Sequence, residues 1–265
     1  MPSVPALIVP AVPTMRIPDV DDDTSRWSES VRDHLETLAG AVSLDRSSLP
    51  TQELEAALTS RLVDADRIHS TDLGFGYATA FIDGVHEILT LDLPSAVVAL
   101  PDARVASIGR RLPRLVDIGR GNLHRRLERT PVQVERAGEP TRRVWTITSD
   151  SPYTASFARF LADAVREWLP DLDDHNGFVF AIPHRHAIVL QSCATPRETA
   201  VALDLVPAVA TAMRTEGVAP VSLDTFHWLA RRVECLSVTD PDGIHVVQPT
   251  PFLQDVLDRG RPGGR

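Results

Sequence analysis

The stretch from Val144 to Ser192 constrains the fold more than any other, because it spells out a strand, a capped helix and a hairpin in succession. Phe157, Phe160, Leu161, Ala164, Val165 and Trp168 recur at the three-then-four spacing that makes one buried stripe of a helix. Asp150 or Ser151 can cap that helix, since a short oxygen-bearing side chain satisfies a free amide of the first turn. Pro152 suits the first turn, where a missing N–H costs nothing, and Leu169-Pro170 stops the helix. Phe178 to Ile182 is apolar without alternation, the signature of a strand buried on both faces. Pro183-His-Arg-His186 then reads as an exposed reversal and Ala187 to Gln191 as the returning strand.

Around this unit the chain alternates helices with hairpins. The spacing predicts helices over Ser25–Val42 and Thr51–Ile68, after a proline-punctuated arm at residues 4–17 and an acidic loop at Asp19–Asp23. Asp83-Gly84 between Tyr77–Ile82 and Val85–Leu91 predicts a tight hairpin, because both turn positions tolerate positive φ. A short strand at Ala96–Leu100 precedes a basic helical stretch, Asp102–Arg129, which Pro113 should break. Thr195-Pro-Arg-Glu198 is a capping box opening a helix that Pro207 kinks and Gly217 ends. Ser222–Ala230 reads as a short helix carrying Phe226 and Trp228. Arg232–Val238 and Ile244–Val247 read as a hairpin, and Pro251–Arg259 as a last helix. Strands that arrive as hairpins between helices predict an α+β fold, an antiparallel sheet with helices packed on it. The division expected is an acidic helical region over 1–70, an α+β core over 71–258 and a disordered tail over 259–265.

Composition narrows the function. At 265 residues the chain has ample length for a core, and 43% hydrophobic residues exclude a disordered one. A net charge of −9 argues against nucleic acid as the partner, since neutralising phosphates needs a basic face. The opening residues lack a basic n-region, and no apolar run has the length of a membrane span, so a soluble cytoplasmic protein is expected. Cys193 and Cys235 read as buried thiols in a reducing compartment.

No reaction motif stands out. Gly-x-Ser-x-Gly and His-Glu-x-x-His are absent, and neither Gly74-Phe-Gly76 nor Gly119-Arg-Gly121 continues as a phosphate fingerprint. His184 and His186 tempt as metal ligands beside Asp171, Asp173, Asp174 and His175. The intervening strand, at about 3.3 Å per residue, holds the two groups roughly 17 Å apart, so no metal and no cofactor is expected. The one charge feature above background is Arg110–Arg129, seven arginines against Asp117 and Glu128, facing an N-terminal Asp19–Asp66 region with 12 acids and 4 arginines. That basic face either neutralises acids of the same chain or receives an external anion. Asn122 within it reads as a cap or a polar contact to the sheet.

Gly121-Asn122-Leu123, Ser151-Pro-Tyr-Thr-Ala-Ser156 opening a helix, and Phe178-Val-Phe-Ala-Ile-Pro-His-Arg185 with its apolar return strand resemble, in that order, the YtpQ-like family of uncharacterised bacterial proteins. The resemblance spans about residues 77–238, with Ser222–Trp228 fitting the late aromatic block. It implies an α+β bacterial cytoplasmic protein in a family without assigned catalytic residues, so none is carried over. The expectation is therefore a non-enzymatic module that binds another protein, of accessory or immunity type, through its acidic helices or the Arg110–Arg129 face. The alternative is an enzyme or small-ligand binder using Arg120, Arg125, His184, Arg185 and His186 as anion clamp and proton carrier.

Overall fold

A computed structural model describes residues 50–70, 73–93, 96–239 and 245–260. The arm, the acidic loop, the Ser25–Val42 helix and most of the 259–265 tail lie outside these residues. In chain order the elements are α1 (Thr51–Ala57), β1 (Leu58–Asp64), α2 (Ala65–His69), β2 (Thr79–Ile82), β3 (Val85–Leu93) and β4 (Ala96–Ala99). Then come α3 (Asp102–Ser107), α4 (Leu112–Leu127), β5 (Gln133–Glu139), β6 (Arg142–Thr148), a 3-10 helix (Ala155–Phe160) and α5 (Leu161–Trp168). The chain continues with β7 (Phe178–Ala181), β8 (Ala187–Ser192), α6 (Pro196–Glu216), β9 (Thr225–Leu229), β10 (Arg232–Cys235), β11 (Ser237–Thr239), β12 (His245–Val247) and α7 (Pro251–Asp258). Helices packed on antiparallel sheets make this an α+β protein.

The larger sheet runs β10-β9-β7-β8-β6-β5, antiparallel throughout. Its centre is the unalternating run of the sequence, and the reason is visible in the layers. Phe178 and Phe180 point to one face, with Ile188, Leu190 and Phe226, against the 3-10 helix and α5. Val179 and Ala181 point to the other, with Val144 and Val189, against Ala202, Val206 and Ala210 of α6. A strand sealed on both faces has no use for alternation. The smaller sheet runs β1-β3-β2, with β4 also paired to β3. Gly84, at φ +73°, makes the β2–β3 turn with the left-handed backbone that Asp-Gly supplies.

Two helical expectations give way, and a third, the broken Asp102–Arg129 stretch, forms as two helices. Thr51–Ile68 is not one helix: α1 stops at Ala57, and Leu58–Asp64 pairs antiparallel with β3 over its whole length. Leu58, Leu62 and Ala65 fit a helical stripe, but Leu58, Ser60 and Leu62 equally share one face of a strand, and Thr59 and Val63 favour that choice. Ser222–Ala230 is likewise a strand, β9, whose Phe226 pairs across to Phe180 and whose Trp228 pairs across to Phe178. Asp102–Arg129 breaks at residues 108–111, ahead of Pro113, which sits in the first turn of α4. In addition β5, absent from the sequence reading, pairs with β6 along seven residues, and Arg232–Val238 divides into β10, on β9, and β11, on β12.

The Thr195–Glu198 box forms with one change. The Thr195 hydroxyl accepts the Glu198 amide at 3.2 Å, but donates to the Glu198 carboxylate at 2.9 Å in place of the reciprocal backbone bond. Thr195→Ala should lower stability by about 1 kcal/mol in urea unfolding, as N-cap removals do; an unchanged midpoint would show that the cap contributes nothing.

Candidate functional site

The β7–β8 turn, Pro183–His186, is covered, not exposed. His184 keeps only 9% of its surface. On one side Arg185 N–H donates to the Ala219 carbonyl at 3.1 Å and Val221 N–H to Pro183 at 3.2 Å. On the other, Ala155 N–H donates to the Arg185 carbonyl at 3.0 Å and Ser149 N–H to His186 at 3.2 Å. Both backbone groups of Arg185 are therefore fixed. The His184 ring lies flush on Gly217, where a Cβ would come within 2.1 Å of it.

The hydrogen bonds assign the tautomers. His186 Nδ1 faces the carbonyls of Ser149 at 3.1 Å and Ser151 at 3.0 Å, which only accept, so Nδ1 carries the proton. Its Nε2 is then free to accept Arg185 Nε–H, at 2.7 Å. His184 Nδ1 accepts the His186 amide at 3.3 Å. Burial, then the neighbouring imidazole and Arg185, push His184 down to about 4. Burial and Arg185 hold His186 below the ordinary imidazole range, although its two carbonyl bonds favour the charged form. Both rings are neutral at pH 7, and His186 acts as a fixed acceptor that aims the Arg185 side chain.

A residue overlooked in the sequence completes the site. Arg61 stands in β1, beside Leu62, whose amide donates to Ser156 Oγ at 3.0 Å. Adjacent residues of the 3-10 helix thus grip β1 through Ser156 and the turn through Ala155, bringing Arg61 within electrostatic reach of Arg185. Burial lowers the Arg61 pKa and repulsion from Arg185 lowers it further, yet a guanidinium stays charged at neutral pH. Its Nε is buried without a hydrogen-bond partner among the described residues. Among the described residues no carboxylate pairs with Arg61 or Arg185. Tyr153, 1% exposed, also acts on the Arg61 charge, and its hydroxyl lies 3.4 Å from Thr90 Oγ1. Arg61 was hidden by reading its segment as helix; the strand-forming Leu58-Thr-Ser-Arg-Leu-Val63 pattern was the signal available.

Arg120 and Arg125 do not join this group. Arg120 Nε donates to both oxygens of Glu87, at 2.9 and 3.1 Å. Leu62 pairs with Glu87, so strand alternation puts Arg61 on the opposite face of the sheet. Glu87 is 5% exposed and also has Arg159 Nε at 3.7 Å. Although burial alone would raise its pKa, the Arg120 hydrogen bonds and charge hold the carboxyl below its usual value. Arg126 pairs with Asp92, and Arg110 with Glu55 at 3.4 Å. Arg125 donates to Asn122, whose amide reaches the carbonyls of Glu55 at 2.8 Å and Leu58 at 2.6 Å. Much of the basic face is thus matched to acids of its own chain.

Among the described residues no group of three or more His, Cys, Asp or Glu could hold a metal ion, and no helix is long and apolar enough to cross a membrane. Compared with known proteins, the chain matches no family model, no curated protein and no solved structure.

Proposed function

We propose that this protein is a non-catalytic binding module whose Arg61–Arg185 pair receives an anionic group, a phosphate or a carboxylate, presented by a partner. The observation that carries the reading is the absence of any carboxylate, among the described residues, beside two half-buried guanidiniums. Placing two such charges together costs free energy that an incoming oxyanion would offset, and a guanidinium fork matches an oxyanion in a bidentate way. Binding, rather than proton transfer, suits histidines held neutral, with both ring nitrogens of His186 already engaged. The partner proposed is another protein: exposed Val218 and Leu223 flank the segment over the turn and offer it apolar contact. A bacterial cytoplasm suits the two free cysteines, Cys193 being a buried thiol pushed up to about 12 by burial.

Titration calorimetry of the full chain with inorganic phosphate, and separately with acetate, tests this. One site is expected, with Arg185→Gln and Arg61→Gln each weakening it about tenfold or more and Arg125→Gln leaving it unchanged. The ligand-free Arg61→Gln protein should be more stable than the parent by about 0.5–2 kcal/mol, because the uncompensated charge is gone. Tighter phosphate than acetate would identify a phosphorylated partner, and the reverse a carboxylate-bearing one. No saturable binding of either anion, or equal loss in Arg125→Gln, would overturn the proposal.

A further inference from the structure

The larger sheet opens at one end. β6 pairs with β8 only from Trp145↔Leu190 to Thr148↔Ala187, whereas β5 and β6 remain paired out to Glu139↔Arg142. Where β6 leaves β8, a half-open cleft of about 570 Å³ lies between the β5–β6 ribbon and the loop that follows α5. That is within the roughly 300–1,000 Å³ of small-ligand sites.

Its walls differ in charge. The ribbon supplies Arg136, whose guanidinium stacks over the Trp145 ring at 4.2 Å, and Arg143, whose Nε is buried without a hydrogen-bond partner among the described residues. Neither forms an ion pair among the described residues. The loop after α5 supplies the carboxylates of Asp171 and Asp173, and the first turn of α6 that of Glu198. Asp173 already accepts from His175 and Glu198 from Thr195, while Asp171 has no ion-pair partner among the described residues. Trp168, Leu169 and Leu172 add apolar surface, and Trp168 is fixed edge-on by Phe157 at 5.5 Å. Gln191 also lines the cleft, from β8.

We infer that this cleft is a binding site for a short peptide with free ends, its carboxylate toward Arg136 and Arg143, its ammonium toward Asp171, and an apolar side chain against Trp168. Cations on one wall, anions on the other and aromatic surface between them complement a dipolar ligand of that kind, and Gln191 can serve its peptide group. The site uses none of the residues of the Arg61–Arg185 pair and stands independently of it.

The test is quenching of tryptophan fluorescence in the full-length protein, with L-leucyl-L-leucine as the probe, since Trp145 and Trp168 both line the cleft. Saturable quenching is expected, weakened about tenfold or more in Arg143→Gln and in Asp171→Asn, and unchanged in Arg185→Gln. The doubly capped N-acetyl, C-amide dipeptide should bind at least tenfold more weakly than the free one. Circular dichroism identifies any variant that misfolds. Should Arg143→Gln do so, Asp171→Asn, in an exposed loop, carries the comparison. Equal affinity for the capped and free peptides, no change in either folded variant, or no saturable quenching would overturn the inference.

Discussion

Arg120→Ala should cost about 3–5 kcal/mol of stability while leaving anion binding at Arg61 and Arg185 intact. The size follows from what remains behind. Glu87 is 5% exposed and loses both oxygen contacts to Arg120, keeping Arg159 at 3.7 Å. A buried carboxylate without its partner pays its desolvation in full, whereas an exposed pair of the same geometry contributes under about 1 kcal/mol. The pH dependence has a definite sign. In the parent protein the folded pKa of Glu87 is depressed, so its contribution to stability is present above the unfolded value and is lost as pH falls through the folded one. In Arg120→Ala burial dominates and the folded pKa rises. The variant then loses stability as pH rises through that value, and the gap between the two proteins narrows in acid. Urea unfolding at neutral pH and near pH 4 would register both effects. Arg125→Ala, at an exposed residue bonded to Asn122, should stay within about 0.5 kcal/mol. Equal effects of the two substitutions would mean that the basic face is a solvated surface and the Glu87 pair adds nothing.

Phe180→Ala is expected to be similarly damaging, at about 3–5 kcal/mol, or roughly 6–20 °C in melting temperature for a chain of this size. Phe180 is 0% exposed on the central strand β7, paired with Phe226 on one side and Leu190 on the other, its ring 5.4 Å from that of Phe226. The layers above and below are anchored to other strands, so the cavity has little means of collapsing. Phe252→Ala is the matched control. It removes the same group from a residue 36% exposed and stacked on His227, and should cost about 1 kcal/mol or less. Comparable losses at the two positions would argue that β7 is not the centre of the cooperative unit.

The candidate site was only half legible in the sequence. His184, Arg185 and His186 stand together because they are neighbours in the chain, and the turn they occupy was marked by Pro183 between two apolar runs. Arg61 joins them from far away in sequence, through a grip on Ala155 and Ser156 that no local pattern encodes. Conversely, the density of arginines in Arg110–Arg129 was plain to read, but whether those charges were free depended on Glu87 and Asp92, which lie on β3. Charge counts along a chain do not report which charges end up within hydrogen-bond reach.

Elements whose identity depends on contacts within a few residues were determined by the sequence alone. The unalternating Phe178–Ile182 run, the Asp83-Gly84 turn and the Thr195–Glu198 cap each carry their own physical instruction. Tertiary structure decided the segments whose apolar spacing satisfies two periods at once. Leu58–Asp64 became a strand because β3 offered it a complete ladder of hydrogen bonds, and Thr225–Leu229 because β7 did. It also decided where the unpaired cations lie. A strand or a salt bridge is completed by a partner distant in the chain, and the free energy that selects it exists only once the chain has folded around it.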